Sequence, residues 1–167
     1  MNPIVYEFSV KPEATMRYFS LYIVVATSSG KESKIYSGKT GDNREGCNPV
    51  ISRCGNHFSY NNAHSQVRNK LGDGHTGYEY QFYFTHFQKY KKGEDNRSAI
   101  NEINELERLL IRKVKSKFEF EKGIKILNDF TGKLKKENEK YHKKNNLEKI
   151  DLLVSKAYDY YTNCLSK

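Results

Sequence analysis

Residues 33–40 read SKIYSGKT, and whether this stretch is a loop over phosphates or a strand decides the architecture of everything before residue 90. Its end, Gly38-Lys39-Thr40, matches the close of a P-loop, a glycine followed by four free residues and then Gly-Lys-Ser/Thr. Ser33 stands where the first glycine should be. A P-loop also needs a helix directly after the lysine, because the helix N-terminus helps hold the phosphates. Thr40-Gly41-Asp42-Asn43 is a poor helix start, with Gly46 and Pro49 close behind. The nucleotide cradle is therefore rejected, and 34–37 (KIYS) reads as a short strand. Upstream, 20–27 (SLYIVVAT) is β-branched and aromatic, a stronger strand, and SSGKES between the two supplies turn residues. Together they make a hairpin.

Working outward, 6–10 (YEFSV) predicts a short strand closed off by Lys11-Pro12. Downstream of the hairpin, KTGDNREGCNP is irregular. Asn48 is then the expected N-cap, with Pro49 in the first turn, of a helix over 50–59 (VISRCGNHFS) that Gly55 weakens. A short basic helix, 64–71 (HSQVRNKL), ends at Gly72, and 78–87 (YEYQFYFTHF) is the clearest strand. The clearest helix covers 99–115, with Ser98 as its candidate cap, and 123–128 (GIKILN) reads as a short extended segment. The remainder is a lysine-rich stretch, 133–149, and an amphipathic helix in which Leu147, Ile150, Leu153, Val154, Ala157, Tyr158 and Tyr161 recur at helical spacing. No internal repeat or linker divides the 167 residues, so residues 1–167 form a single domain. The order hairpin, helices, strand, long helix gives an α+β fold with a small antiparallel three-stranded sheet flanked by helices.

Twenty-nine Lys+Arg against twenty Asp+Glu leave a formal charge of +9. A field of that sign concentrates polyanions, nucleic acid first and an anionic membrane surface second. No stretch approaches the roughly 20 apolar residues of a membrane span, and the first residues lack the pattern of a secretory signal. Cys47, Cys54 and Cys164 make an odd count without CxxC spacing, which fits a reducing interior better than a disulfide framework. The expectation is an intracellular, cytoplasmic protein without membrane contact. The spacings of Cys47, Cys54, His57 and His64 match no common zinc finger.

Two groups of residues draw attention for chemistry. Arg53 and His57 stand four apart, on one face of their helix. In the long helix, Ile100, Ile103, Leu110 and Val114 make an apolar stripe, and Glu107 falls inside it. Glu102 and Glu105 fall outside, on the expected solvent side. A carboxylate in an apolar stripe must find a cation or another partner, or accept a raised pKa.

Tyr22 in LYIV and Tyr36 in IYSGKT, with Gly38 after the second, form a tyrosine hairpin that resembles the GIY-YIG nuclease family. Leu21 replaces the first glycine of the family's name motifs and Ser37 the isoleucine of the second. The downstream order resembles the family too. Arg53 and His57 lie on the first helix after the hairpin, HSQVRNKL is similar to a basic helix of several branches, ELERLLIRK supplies Glu107, and ILND supplies Asn128. The resemblance spans 21–128, leaving the first twenty residues outside it and 129–167 as a basic helical C-terminal extension. The distance from Tyr36 to Arg53 is longer than in the simplest members, which implies an insertion around GDNREGCN or makes Arg44 the equivalent arginine; His57 favours Arg53.

The resemblance implies a metal-dependent endonuclease that hydrolyses phosphodiesters in DNA, with RNA left open, in a restriction, mobile-element or repair role. Tyr22 would be the general base, directly or through a water, with Tyr36 supporting the network. Lys39 would place an ammonium beside water or phosphate, Arg53 would face the scissile phosphate, and His57 would relay a proton or bind phosphate. Glu107 would hold one Mg²⁺ or Mn²⁺ per active site. Arg68, Lys70 and Asn128 would contact the nucleic acid. A restriction role implies a homodimer, because cutting both strands needs two sites. Two rivals stand beside this reading: a nucleic-acid-binding module without turnover on the same scaffold, and an interaction protein using a Tyr/Phe-rich surface.

Overall fold

The computed structural model describes residues 5–41, 46–61, 63, 65–129 and 132–165. Strand β1 (Tyr18–Thr27) turns into β2 (Ser33–Lys39), followed by α1 (Val50–Phe58), α2 (Gln66–Leu71), β3 (Glu79–Lys89), α3 (Arg97–Phe118), β4 (Ile124–Ile126) and α4 (Lys144–Leu165). The sheet runs β3-β1-β2-β4. β1 is central and antiparallel to both neighbours, with Tyr22 opposite Gly38 on one side and Phe84 on the other. β4 lies parallel to β2. The expected three-stranded antiparallel sheet is thus four-stranded and mixed. The reason is the outer edge of β2, whose backbone groups need partners. The Ser33 N–H donates to Gly123 O at 2.8 Å, and the Leu127 N–H donates to Ile35 O at 2.8 Å.

β1 is buried on both faces, and residues 21–26 (LYIVVA) supply an unbroken apolar and aromatic run for it. Leu21, Ile23 and Val25, with Ile35 of β2, face the main core, which α3 and α4 complete with Ile103, Leu106, Leu110, Ile150, Leu153, Ala157 and Tyr161. Burying each aliphatic side chain of this kind is worth about 1.5–3 kcal/mol. The opposite face carries Tyr22, Val24 and Val67, with Tyr36, Phe58, Leu71, Phe82 and Phe84 packed around them. Helix α4 is therefore part of the main core, and α1 and α2 lie on the side where the hairpin tyrosines point. No helix among the described residues is long and apolar enough to cross a membrane.

Several local expectations are corrected. Residues 6–10 form no strand, and Val5, Tyr6 and Phe8 are exposed; alternation specifies a strand only where a neighbour offers a ladder. Pro49, not Asn48, precedes the first residue of α1, and no side chain caps that end. Helix α3 starts at Arg97 behind Asn96, so Ser98 lies inside it rather than capping it. Asn96 instead braces the preceding loop through its amide to Lys91 O and Glu94 O.

Glu102 and Glu105, expected in solvent, are buried. Helix α4 and the 3-10 turn Lys136–Tyr141 cover that side of α3, which the stripe alone did not reveal. Glu102 accepts from Asn146 Nδ2 at 2.8 Å and from Gln88. Glu105 accepts from Arg108 at 3.0 Å and Asn138 at 3.2 Å, with His142 at 3.3 Å. Burial pulls the Glu105 pKa upward, but those hydrogen bonds outweigh it and hold the carboxyl below its usual value.

Candidate active site

The hairpin register sets the first part of the site. Tyr22 and Gly38 are paired across β1 and β2, and the tyrosine ring folds over the glycine. A Cβ on residue 38 would lie 2.4 Å from Tyr22 Oη and 2.5 Å from Cζ. Only glycine leaves room for the ring. The phenol is 1 % exposed and its Oη lies 2.7 Å from His57 Nε2.

Helix α1 brings Arg53 and His57 to this face together, as their spacing of four predicts. Tyr36 packs edge-on against the His57 ring, with centroids 5.1 Å apart, and tilts against Tyr22 at 6.4 Å. Phe82 of β3 adds an apolar wall at 6.5 Å from His57. Arg53 Nε and His57 Nδ1 are buried without a hydrogen-bond partner. A buried guanidinium N–H in that state is suited to an incoming acceptor such as a phosphate oxygen.

The electrostatics follow from burial. Desolvation, with Tyr36 beside it, pushes Tyr22 well above its ordinary value; the charge and hydrogen bonding of Arg53 pull against this, and Glu107 adds to the rise. Tyr36 is pushed up to about 12 by burial and Glu107, against Arg53. Burial and then the charge of Arg53 lower His57 to about 4. At neutral pH both tyrosines are phenols and His57 is a neutral imidazole. In that state it offers one acceptor nitrogen, and the tautomer decides whether that nitrogen faces Tyr22.

Lys39, the last residue of β2, donates from Nζ to Glu107 Oε2 of α3 at 2.9 Å. The Glu107 side chain is 25 % exposed, so it sits at the edge of the stripe rather than in the core. Its charge acts on both hairpin tyrosines, which places all six candidate residues in one electrostatic neighbourhood. No three His, Cys, Asp or Glu gather anywhere among the described residues. A single, partly exposed carboxylate is what Mg²⁺ would use, since it keeps several waters and takes one or two carboxylates plus substrate phosphates. Glu107 is the residue that would hold it.

The other predicted contacts divide. Asn128 is not turned outward: its Oδ1 accepts from the Ser37 N–H and its Nδ2 donates to Ser37 O, both at 2.8 Å. It clamps β2 between the two residues that carry the site, Tyr36 and Gly38. Arg68 donates from Nε to Ser59 O at 2.9 Å. Lys70 pairs with Asp129, and Lys115 and Lys125 lie close enough to help lower the Asp129 pKa. These three lysines form a basic rim just beyond Asn128. Arg44 and His64 lie outside the described residues. Sequence reasoning missed Phe82 and the steric role of Gly38, and only the strand register could have exposed either. A separate open cleft of about 1270 Å³, lined by Ser29, Lys31, Tyr78, Tyr160 and Cys164 among others, contains none of these residues. Compared with protein-family models, with curated proteins and with solved structures, the chain gives no significant match.

Proposed function

We propose that the chain is a metal-dependent endonuclease of GIY-YIG type that hydrolyses phosphodiester bonds in DNA inside the cell, in the cytoplasm. The observation that carries this reading is the Tyr22–His57 hydrogen bond beside Arg53, whose buried Nε lacks a partner. The acid-base pair and the anion donor lie together on the α1 side of the sheet, and the partly exposed Glu107 carboxylate is within electrostatic reach of both tyrosines. These are the groups that phosphodiester hydrolysis requires.

In this reading Arg53 donates to a nonbridging oxygen of the scissile phosphate and orients it. Water attacks phosphorus and gives a proton to Tyr22 Oη as the tyrosine's own proton passes to His57 Nε2. The high Tyr22 pKa suits this transfer, since no phenolate has to accumulate. The bound phosphate also neutralises Arg53, removing one of the two causes that hold His57 low, so the imidazole becomes a better acceptor. Lys39, now paired with Glu107 at 2.9 Å, would offer its ammonium to the phosphate, and Glu107 would hold the metal. When bound, Mg²⁺ or Mn²⁺ on Glu107 supplies charge neutralisation and assistance to the leaving oxygen. The basic rim of Lys70, Lys115 and Lys125 would hold the backbone. A restriction role would use two copies.

The test is supercoiled plasmid and a mixed-sequence DNA pool with Mg²⁺, with EDTA, and with Glu107→Ala. Metal-dependent cutting lost in the variant supports the reading. A second reading, a binding module without turnover, is favoured by the Lys39–Glu107 pair, which already satisfies one carboxylate oxygen. It takes over if the protein binds the pool, with salt-dependent affinity, and leaves it uncut.

A further inference from the structure

Two residues beyond the end of α1, Tyr60 is 82 % exposed. It is nevertheless backed on one side. The Arg68 guanidinium lies over its ring with Cζ 4.7 Å from the centroid. Arg68 is itself held, donating from Nε to Ser59 O and from Nη2 to Asn69 Oδ1, each at 2.9 Å. The His75 ring stands edge-on at 6.3 Å, with its Nδ1 2.9 Å from Gly72 O. An exposed aromatic set against a pinned cation presents a flat surface with positive charge behind it. That is the combination that stacks a base while attracting its phosphate.

Position narrows the role. Tyr60 follows His57 by three residues, so the two Cα atoms are at most about 11 Å apart, within roughly three base steps along a strand. Residue 60 therefore lies beside the site along the chain rather than in a remote part of the fold. Next to Tyr60, the Ser59 and Ser65 hydroxyl oxygens lie 2.8 Å apart. Arg68, expected from the sequence to contact nucleic acid, has two of its donor groups engaged by Ser59 O and Asn69 Oδ1. Its guanidinium lies over the Tyr60 ring and backs it.

We propose that Tyr60, backed by Arg68, is a stacking platform for one unstacked nucleobase of the bound DNA strand, close to the scissile phosphate. The proposal rests on the reading that the Tyr22–Arg53–His57 face receives a phosphodiester. It goes further in requiring that a base near the cut leave the helical stack, so that strands already distorted, nicked or single are bound best.

The experiment uses the full chain in EDTA with short single-stranded and nicked duplex DNA carrying 2-aminopurine at successive positions. Quenching confined to one or two positions is expected, lost in Tyr60→Ala and kept in Tyr60→Phe, with about a tenfold loss of affinity in the alanine variant. Position 60 is exposed, so neither variant should unfold, and a melting curve checks it. Wild-type binding with unchanged quenching in Tyr60→Ala overturns the platform and leaves the phosphodiester reading standing. Equal losses in the alanine and phenylalanine variants also overturn it, since they assign the contact to the hydroxyl. A wild-type chain that binds no DNA at all sinks both.

Discussion

Gly38 lies beneath the Tyr22 ring so closely that one added carbon would come within 2.4 Å of the hydroxyl oxygen. Tyr22 is fully buried and bonded to His57, so the ring cannot swing aside without breaking that bond. Gly38→Ala should destabilise the fold by about 1–3 kcal/mol, the usual cost of overpacking, and lower cleavage much more than DNA binding. Thermal melting and a comparison of binding with turnover would check it. An alanine variant with wild-type turnover would show that the Tyr22 position is irrelevant to chemistry.

His57 gives the fold a pH dependence of defined sign. Its pKa is about 4 in the folded chain against an ordinary 6.5, so between those values the unfolded chain binds the extra proton. Stability from this group is complete above pH 6.5 and is lost as the pH falls toward about 4, by roughly 3 kcal/mol in all. Replacing it by His57→Gln should flatten that part of the curve. Denaturant titrations of both proteins at pH 7 and pH 4.5 would show the difference, and parallel pH profiles would refute the assignment.

The clamp on β2 predicts an asymmetry between two substitutions of Asn128. Asn128→Ala leaves the Ser37 N–H and carbonyl without their partner, a cost of about 1–3 kcal/mol. Asn128→Asp keeps the acceptor for the N–H but sets a charged oxygen against the carbonyl. It should therefore recover only part of the loss at neutral pH and more of it in acid, where the carboxyl can donate. Unfolding midpoints across pH would reveal this; equal values for both variants would not fit the geometry.

The basic rim should be visible in the salt dependence of DNA binding. Lys70→Ala and Lys125→Ala should each reduce the slope of log affinity against log salt by about 0.7–0.9, for single or double strands respectively. Cleavage per bound molecule should change little. Unaltered slopes would place the backbone elsewhere on the protein.

The hairpin, the long α3 and α4 helices and the Arg53–His57 pair were legible because each depends on local pattern. The register of β1 with β2 was not, and with it went the reason for Gly38. Glu105 shows the limit most clearly. Its place on α3 reads as solvent-facing from the apolar stripe, yet Asn138 and His142, thirty residues and more along the chain, enclose it. Periodicity reports which face of a helix is apolar, not what a distant segment will cover. The same holds for β4: its residues were recognised as extended, but an open edge on β2 decided where they paired. Tyr60 carried no local signal at all, since its environment comes from Arg68 and His75.

The sequence separations within the site also set an order in time. Tyr22 and His57 are 35 residues apart, Lys39 and Glu107 are 68 apart, and Ser37 and Asn128 are 91 apart. Chains leave the ribosome N-terminus first, so the tyrosines, the arginine and the histidine emerge well before the carboxylate and the clamp. Helix α4, which closes the core beneath the same sheet, follows last of all. A chain still being made thus holds the Tyr22–His57 pair with no Glu107 beside it and a hairpin with one edge unpinned. The full set of six residues and its clamp exist only once residue 128 has been made.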